Sequence, residues 1–169
     1  MSSAMESLYQ EVILDLSRHP HGRGLEDDAA AESHQVNPTC GDEITLQLHL
    51  EPGTDRIRAI RWEGHGCAIS QASASLFSDL GPGLTTAELK DRIELFRGAM
   101  RSRGTIEPDE ELLGDAVALG GVSRYVARVK CAMLAWVAGE QAIMLSDTAE
   151  KNRNARATPV PRGRVPWPR

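Results

Sequence analysis

Three cysteines, Cys40, Cys67 and Cys131, and the aspartate of Cys40-Gly41-Asp42 are the residues of this chain best suited to chemistry. Three soft thiolates and one carboxylate would complete the four-coordinate tetrahedron that zinc favours. A carboxylate is a harder, weaker partner for a soft metal than a fourth thiolate, so such a site is one in which a ligand can exchange. The spacing from Cys40 to Cys67 to Cys131 is not that of a zinc ribbon, and unpaired cysteines are often simply buried. Spacing alone therefore leaves metal binding and plain core thiols both open. Among the five histidines, His65 is the best placed to be a ligand, two residues before Cys67, although two such near neighbours must then converge on one ion; the others read as solvated or hydrogen-bonded. No phosphate-binding glycine loop and no Ser-His-Asp arrangement stands out.

The elements that must position these residues are legible from periodicity. Leu8, Val12, Ile13 and Leu16 predict a helix near residues 3–17, ended by His19-Pro20. Ile44, Leu46, Leu48 and Leu50 alternate with polar residues as in a half-buried strand, and Pro52-Gly53 turns the chain into a second strand from Arg56 to Glu63. Ser33 to Val36 offers a short third strand, so Cys40 lies in the loop entering the best strand. Ile69, Ala72, Ser73, Leu76, Phe77 and Leu80 form a helical stripe that puts Cys67 at a helix start, where the dipole favours thiolate. Thr85 and Glu88 have capping-box spacing for a helix to about Met100, and residues 101–121 read as an excursion around a short helical stretch. In a last helix from about Val122 to Met144, Val122, Val126, Val129, Met133, Val137 and Met144 share a side, with Cys131 roughly 180° from Val122. That phase predicts Cys131 on a second, more polar surface beside Arg124 and Arg128, whose guanidinium groups would favour thiolate. The fold expected is α+β, a small antiparallel three-stranded sheet packed against several helices.

With 169 residues, 41% hydrophobic and 25% charged, the chain can bury a continuous core without disulfides. An odd cysteine count and an amphipathic start predict a cytoplasmic protein with reduced thiols, and no run approaches the ~18 apolar residues of a membrane span. The net charge of −5 conceals an asymmetry: Lys151, Arg153, Arg156, Arg162, Arg164 and Arg169 stand in the last nineteen positions without an acid among them. The remainder is too acidic for sequence-independent nucleic-acid binding. Residues 1–147 read as one domain and 148–169 as a basic, Pro/Arg-rich disordered tail, either merely solvated or a docking arm for an acidic partner.

In Asn37-Pro38-Thr39-Cys40-Gly41-Asp42, in Glu63-Gly64-His65-Gly66-Cys67-Ala68-Ile69-Ser70, in Leu119-Gly120-Gly121-Val122 and in Arg128-Val129-Lys130-Cys131-Ala132-Met133, the chain resembles the SufU branch of the iron–sulfur cluster assembly proteins with the IscU-like fold. The resemblance spans about residues 8–145. It implies a zinc site of Cys40, Asp42, Cys67 and Cys131 in a sulfurtransferase that accepts persulfide sulfur on Cys40 from a SufS-type cysteine desulfurase. The desulfurase would offer zinc a histidine that frees Cys40, the sulfur would pass to a SufBCD-type complex, and Arg128 would assist. The alternative is a scaffold on which the same residues hold iron or a transient Fe–S cluster; the 101–121 insertion and Lys130, where IscU-like scaffolds usually carry His, favour sulfur transfer. A purely structural zinc site is disfavoured by the aspartate, since closed sites mostly use Cys and His. Val126 stands where the family commonly has Pro, which should let the last helix begin early.

Overall fold

Alternation dictates the centre of the sheet. The computed structural model describes residues 3–157, and in it β2 (Asp42–Leu50) lies between β1 (Ala31–Asn37) and β3 (Ile57–His65), antiparallel to both. Ile44, Leu46 and Leu48 point into the core with Ile57, Ile60 and Trp62. The expected short strand at 33–36 is thus a full partner of β2, from Ala31↔Leu48 to Asn37↔Asp42.

Five helices complete the α+β architecture: α1 (Ser3–Arg18), α2 (Ala68–Leu80), α3 (Thr86–Arg101), α4 (Glu110–Leu113) and α5 (Val126–Ala157). Helix α5 packs on β1, β2, α2 and α3, while α1 lies on α2. Thr85 caps α3 by accepting the Glu88 N–H at 3.2 Å, as its spacing foretold. Where α2, α3 and α5 meet, Trp136 stacks on Phe96 with centroids 3.9 Å apart and tilts against Phe77 at 4.9 Å. Gly139 lets α5 approach α2 so closely that a side chain there would collide with the Phe77 ring.

Helix α5 departs from expectation at both ends. Residues Gly114–Arg124 form successive 3₁₀ turns, and Tyr125, in a non-helical conformation, separates them from a helix that starts at Val126 rather than Val122. Gly120-Gly121 costs an α-helix about 1 kcal/mol per glycine relative to alanine, which favours the break. Toward the C-terminus the helix continues past the expected domain limit at 147, because Ala149, Glu150, Lys151, Arg153 and Arg156 are sound helix formers. The tail expected from 148 is therefore helical through Ala157; its Pro/Arg-rich remainder, 158–169, lies outside the described residues. Among the described residues no helix is long and apolar enough to cross a membrane.

The outer face of β2 holds a buried polar relay. His49 is fully buried; Arg58 Nη2 donates to its Nδ1 at 3.3 Å, which leaves Nε2–H to donate to Gln47 Oε1 at 3.1 Å. Burial, and next the Arg58 charge, hold the His49 pKa below its ordinary 6.5. Because the unfolded ring binds the proton more readily, the stability that the neutral ring contributes is complete above about pH 6.5 and is lost as pH falls from there toward the lowered folded value. Denaturant unfolding at pH 8 and pH 5.5 is expected to give a smaller free-energy difference for His49→Gln than for the unmodified chain; equal differences would remove this role.

Candidate metal centre

Cys40 is presented by a tight turn between β1 and β2. Asn37 Oδ1 accepts the Thr39 N–H at 3.2 Å, the Asn37 carbonyl accepts the Gly41 N–H at 2.8 Å, and Gly41 takes φ +71°, a conformation glycine adopts without steric cost. The turn leaves Cys40 exposed, yet its Sγ lies 3.4 Å from that of Cys131.

Asp42 opens β2 and is buried. Its Oδ1 accepts the Cys67 N–H at 3.1 Å, and its Oδ2 is 3.9 Å from Cys67 Sγ. Gly66 makes this approach possible, since a Cβ there would stand 2.6 Å from Asp42 Oδ1. The glycine thus leaves room for the carboxylate and for the Ser70 hydroxyl. Cys67 is the N-cap of α2, its Sγ accepting the Ser70 N–H at 3.5 Å, so this thiol meets the positive end of the helix dipole as its sequence position implied.

Cys131 reaches the site by a different route from the one its helical phase suggested. It is fully buried and belongs to the core face of α5, with Ala135, Ala138 and Ala142, whereas Val126, Val137 and Met144 of the expected stripe are exposed. The helix is enclosed on several sides, by β1, β2, α2 and α3, and its alanines are more deeply buried than its valines. At the end of that core face Cys131 turns to the polar pocket: donor atoms of Cys40, Asp42 and Cys131 lie within 4.8 Å of one another. Burial is the chief cause that pushes the Cys131 thiol far above its ordinary range, followed by hydrogen bonds to Asp42 and Cys40. The Cys131 sulfur, one turn further along the helix, and next the charge of Cys67 hold the Arg128 guanidinium pKa above its ordinary value. Arg124, expected on the same side, instead pairs with Glu6 at 3.1 Å. His65 lies 3.8 Å from Glu43, outside the three-residue cluster.

The result is an open cleft of about 650 Å³ lined by Cys40, Asp42, His65, Cys67, Ala127 and Arg128. Ligand bonds of about 2.0–2.3 Å to zinc imply tetrahedral edges of about 3.5–3.8 Å. The Cys40–Cys131 separation of 3.4 Å is shorter than such an edge and the Asp42–Cys67 separation of 3.9 Å longer; Cys40, Asp42 and Cys131 are brought together as a group able to hold an ion, while Cys67 stands beside Asp42 but outside that group. Two contributors escaped the reading of the sequence, Ser70 beneath Cys67 and Asn37 within the Cys40 turn. Both have a local signal, a serine three residues after an N-cap and an asparagine before a proline turn.

The family model for the NifU-like N-terminal domain matches residues 8–132. The chain is 36% identical over 140 residues to the zinc-dependent sulfurtransferase SufU of Bacillus subtilis, covering 82% of this chain and 91% of that protein. It is 39% identical over 136 residues to the iron–sulfur cluster assembly scaffold protein IscU of Thermotoga maritima, covering 80% and 92%. Among solved structures, a putative iron–sulfur cluster assembly scaffold protein for the SUF system from Fervidobacterium islandicum superposes with a TM-score of 0.67 at 35% identity, covering 84% of this chain and 99% of that one.

Proposed function

This chain belongs to the NifU-like N-terminal domain family of iron–sulfur cluster assembly proteins, and from that membership we propose that it is a zinc-dependent sulfur carrier fed by a cysteine desulfurase. The observation that carries the reading is the inequality of the donors. Asp42 and Cys131 are buried and Cys67 is half-buried, whereas Cys40 alone is exposed at the tip of a turn. A purely structural site has no use for one accessible thiol. Zinc bound to Cys40, Asp42, Cys67 and Cys131 would supply a redox-inert charge that keeps thiolates ready at neutral pH.

The transfer itself is a thiol exchange. The Cys40 thiolate attacks the outer sulfur of a persulfide on a SufS-type desulfurase; a new S–S bond forms, the donor's S–S bond breaks, and its electron pair leaves with the desulfurase thiolate. Arg128 presents a positive charge beside the pocket, suited to an anionic sulfur in transit. Tyr125, just before α5, and Val126, its first residue, are 66% and 63% exposed and give a protein partner apolar surface next to the cleft. Onward delivery would go to a SufBCD-type assembly complex. The second reading, a scaffold for a nascent cluster, draws on the scaffold relatives and on a donor set that also suits iron.

Isolation with and without air, metal analysis, and incubation with the desulfurase, cysteine and a reductant separate the two. Expected are about one zinc per chain, a persulfide mass on Cys40 and faster desulfurase turnover. Stable iron with labile sulfide after anaerobic isolation, and no effect on turnover, would favour the scaffold.

A further inference from the structure

Asn37 is 5% exposed, and its Nδ2 has no hydrogen-bond partner. A buried donor left unpaired costs about 1–3 kcal/mol and calls for a reason. Its two oxygens hold the Cys40 turn, Oδ1 accepting from Thr39 and the carbonyl from Gly41. Two constraints place the Asn37 side chain beside the site. Asn37 pairs with Asp42 across β1 and β2, so both side chains stand on the same face of the sheet, with β-carbons about 4.5–5.5 Å apart. The bond from Gly41 N–H to the Asn37 carbonyl also winds the turn so that Asn37 and Cys40, three residues apart, become neighbours, as on a helix.

We propose that Asn37 Nδ2 is the hydrogen-bond donor for the sulfur that Cys40 carries. The inference rests on the reading of Cys40 as a sulfur acceptor and adds a residue that recognises the cargo. In the unloaded chain neither the Cys40 nor the Cys131 sulfur satisfies the donor. Loading adds one sulfur through an S–S bond of about 2.05 Å, which extends the side chain by a further atom beside Asn37. A donor met only in the loaded state shifts the loading equilibrium, not merely its rate.

The test loads Cys40 with glutathione persulfide, the Cys40 thiolate taking the outer sulfur and glutathione thiolate leaving, and reads the persulfide fraction by intact mass at fixed persulfide and thiol. Asn37→Asp is nearly isosteric and keeps the Oδ1 cap but replaces the donor with an acceptor. If Asn37 only caps the turn, this variant loads as the unmodified chain does. The proposal expects a loading constant lower by about tenfold, the worth of one hydrogen bond to a charged partner. Asn37→Ala, which adds no charge, is expected to fall similarly; normal loading by either variant overturns the proposal. In the unmodified chain the Asn37 side-chain amide resonances are expected to move on loading, and their failure to move overturns it whatever the variants' stability. Should the desulfurase transfer nothing to Cys40 while glutathione persulfide still loads it, the functional reading fails and the Asn37 result stands separately.

Discussion

With Cys40→Ser, the expected result is a folded chain that takes up no sulfur from a cysteine desulfurase. A serine hydroxyl stays protonated at neutral pH, whereas the nucleophile in sulfur exchange is a thiolate. The loss should be complete within the sensitivity of intact-mass detection. The fold should survive, since Cys40 is exposed at a turn held by Asn37 and Gly41, and substitutions at such positions usually change stability by no more than about 0.5 kcal/mol. Measured under limiting reductant, with cysteine as substrate, Cys40→Ser should also fail to accelerate desulfurase turnover. Acceleration equal to that of the unmodified chain would move the acceptor role to another thiol.

Trp136→Ala is expected to have the largest effect on stability, about 3–5 kcal/mol, as for other large aromatic truncations in cores. Its ring is fully buried between Phe77 and Phe96, so its removal leaves a cavity at the junction of three helices. The indole Nε1–H also donates to Ser73 Oγ at 2.9 Å, and Ser73 in turn donates to the Ala132 carbonyl. Ser73 thus ties the helix capped by Cys67 to the residue after Cys131. Denaturant unfolding should show the loss directly, and bound metal should fall with it because two donors lose their mutual reference. A cost below about 1 kcal/mol would place the core's main support elsewhere.

Where one physical cause dominates, the sequence is readable. The β2 alternation reflects one buried face, the start of α2 reflects a cap, and Thr85 announces α3 by the same chemistry. Cys131 shows where this fails. A hydrophobic stripe marks the buried side only when a helix has one buried side, and α5 is covered by strands and helices around much of its girth. The alanines that allow this close packing carry too little hydrophobic weight to mark the face, while exposed Val126 and Met144 point the stripe the wrong way. The helical conformation of residues 148–157 was missed for a related reason: charge after residue 147 argues for solvent exposure, but an exposed segment can still be helical. The turn-forming role of Asn37 has a signal in the sequence, but its unmet Nδ2 has none, because an unmet donor is a property of three-dimensional surroundings, not of residue type.

The proposed donors also have an order in time. Cys40, Asp42 and Cys67 belong to the sheet and the first turn of α2, whereas Cys131 is separated from Cys40 by 91 positions. Domains emerge from synthesis N-terminal part first, so three donors are available before the fourth has been made. Closing the cluster is therefore coupled to the docking of α5. Metal captured early would be held by an incomplete shell until that helix arrives, and completion of the shell, rather than uptake, would then report the final step of folding.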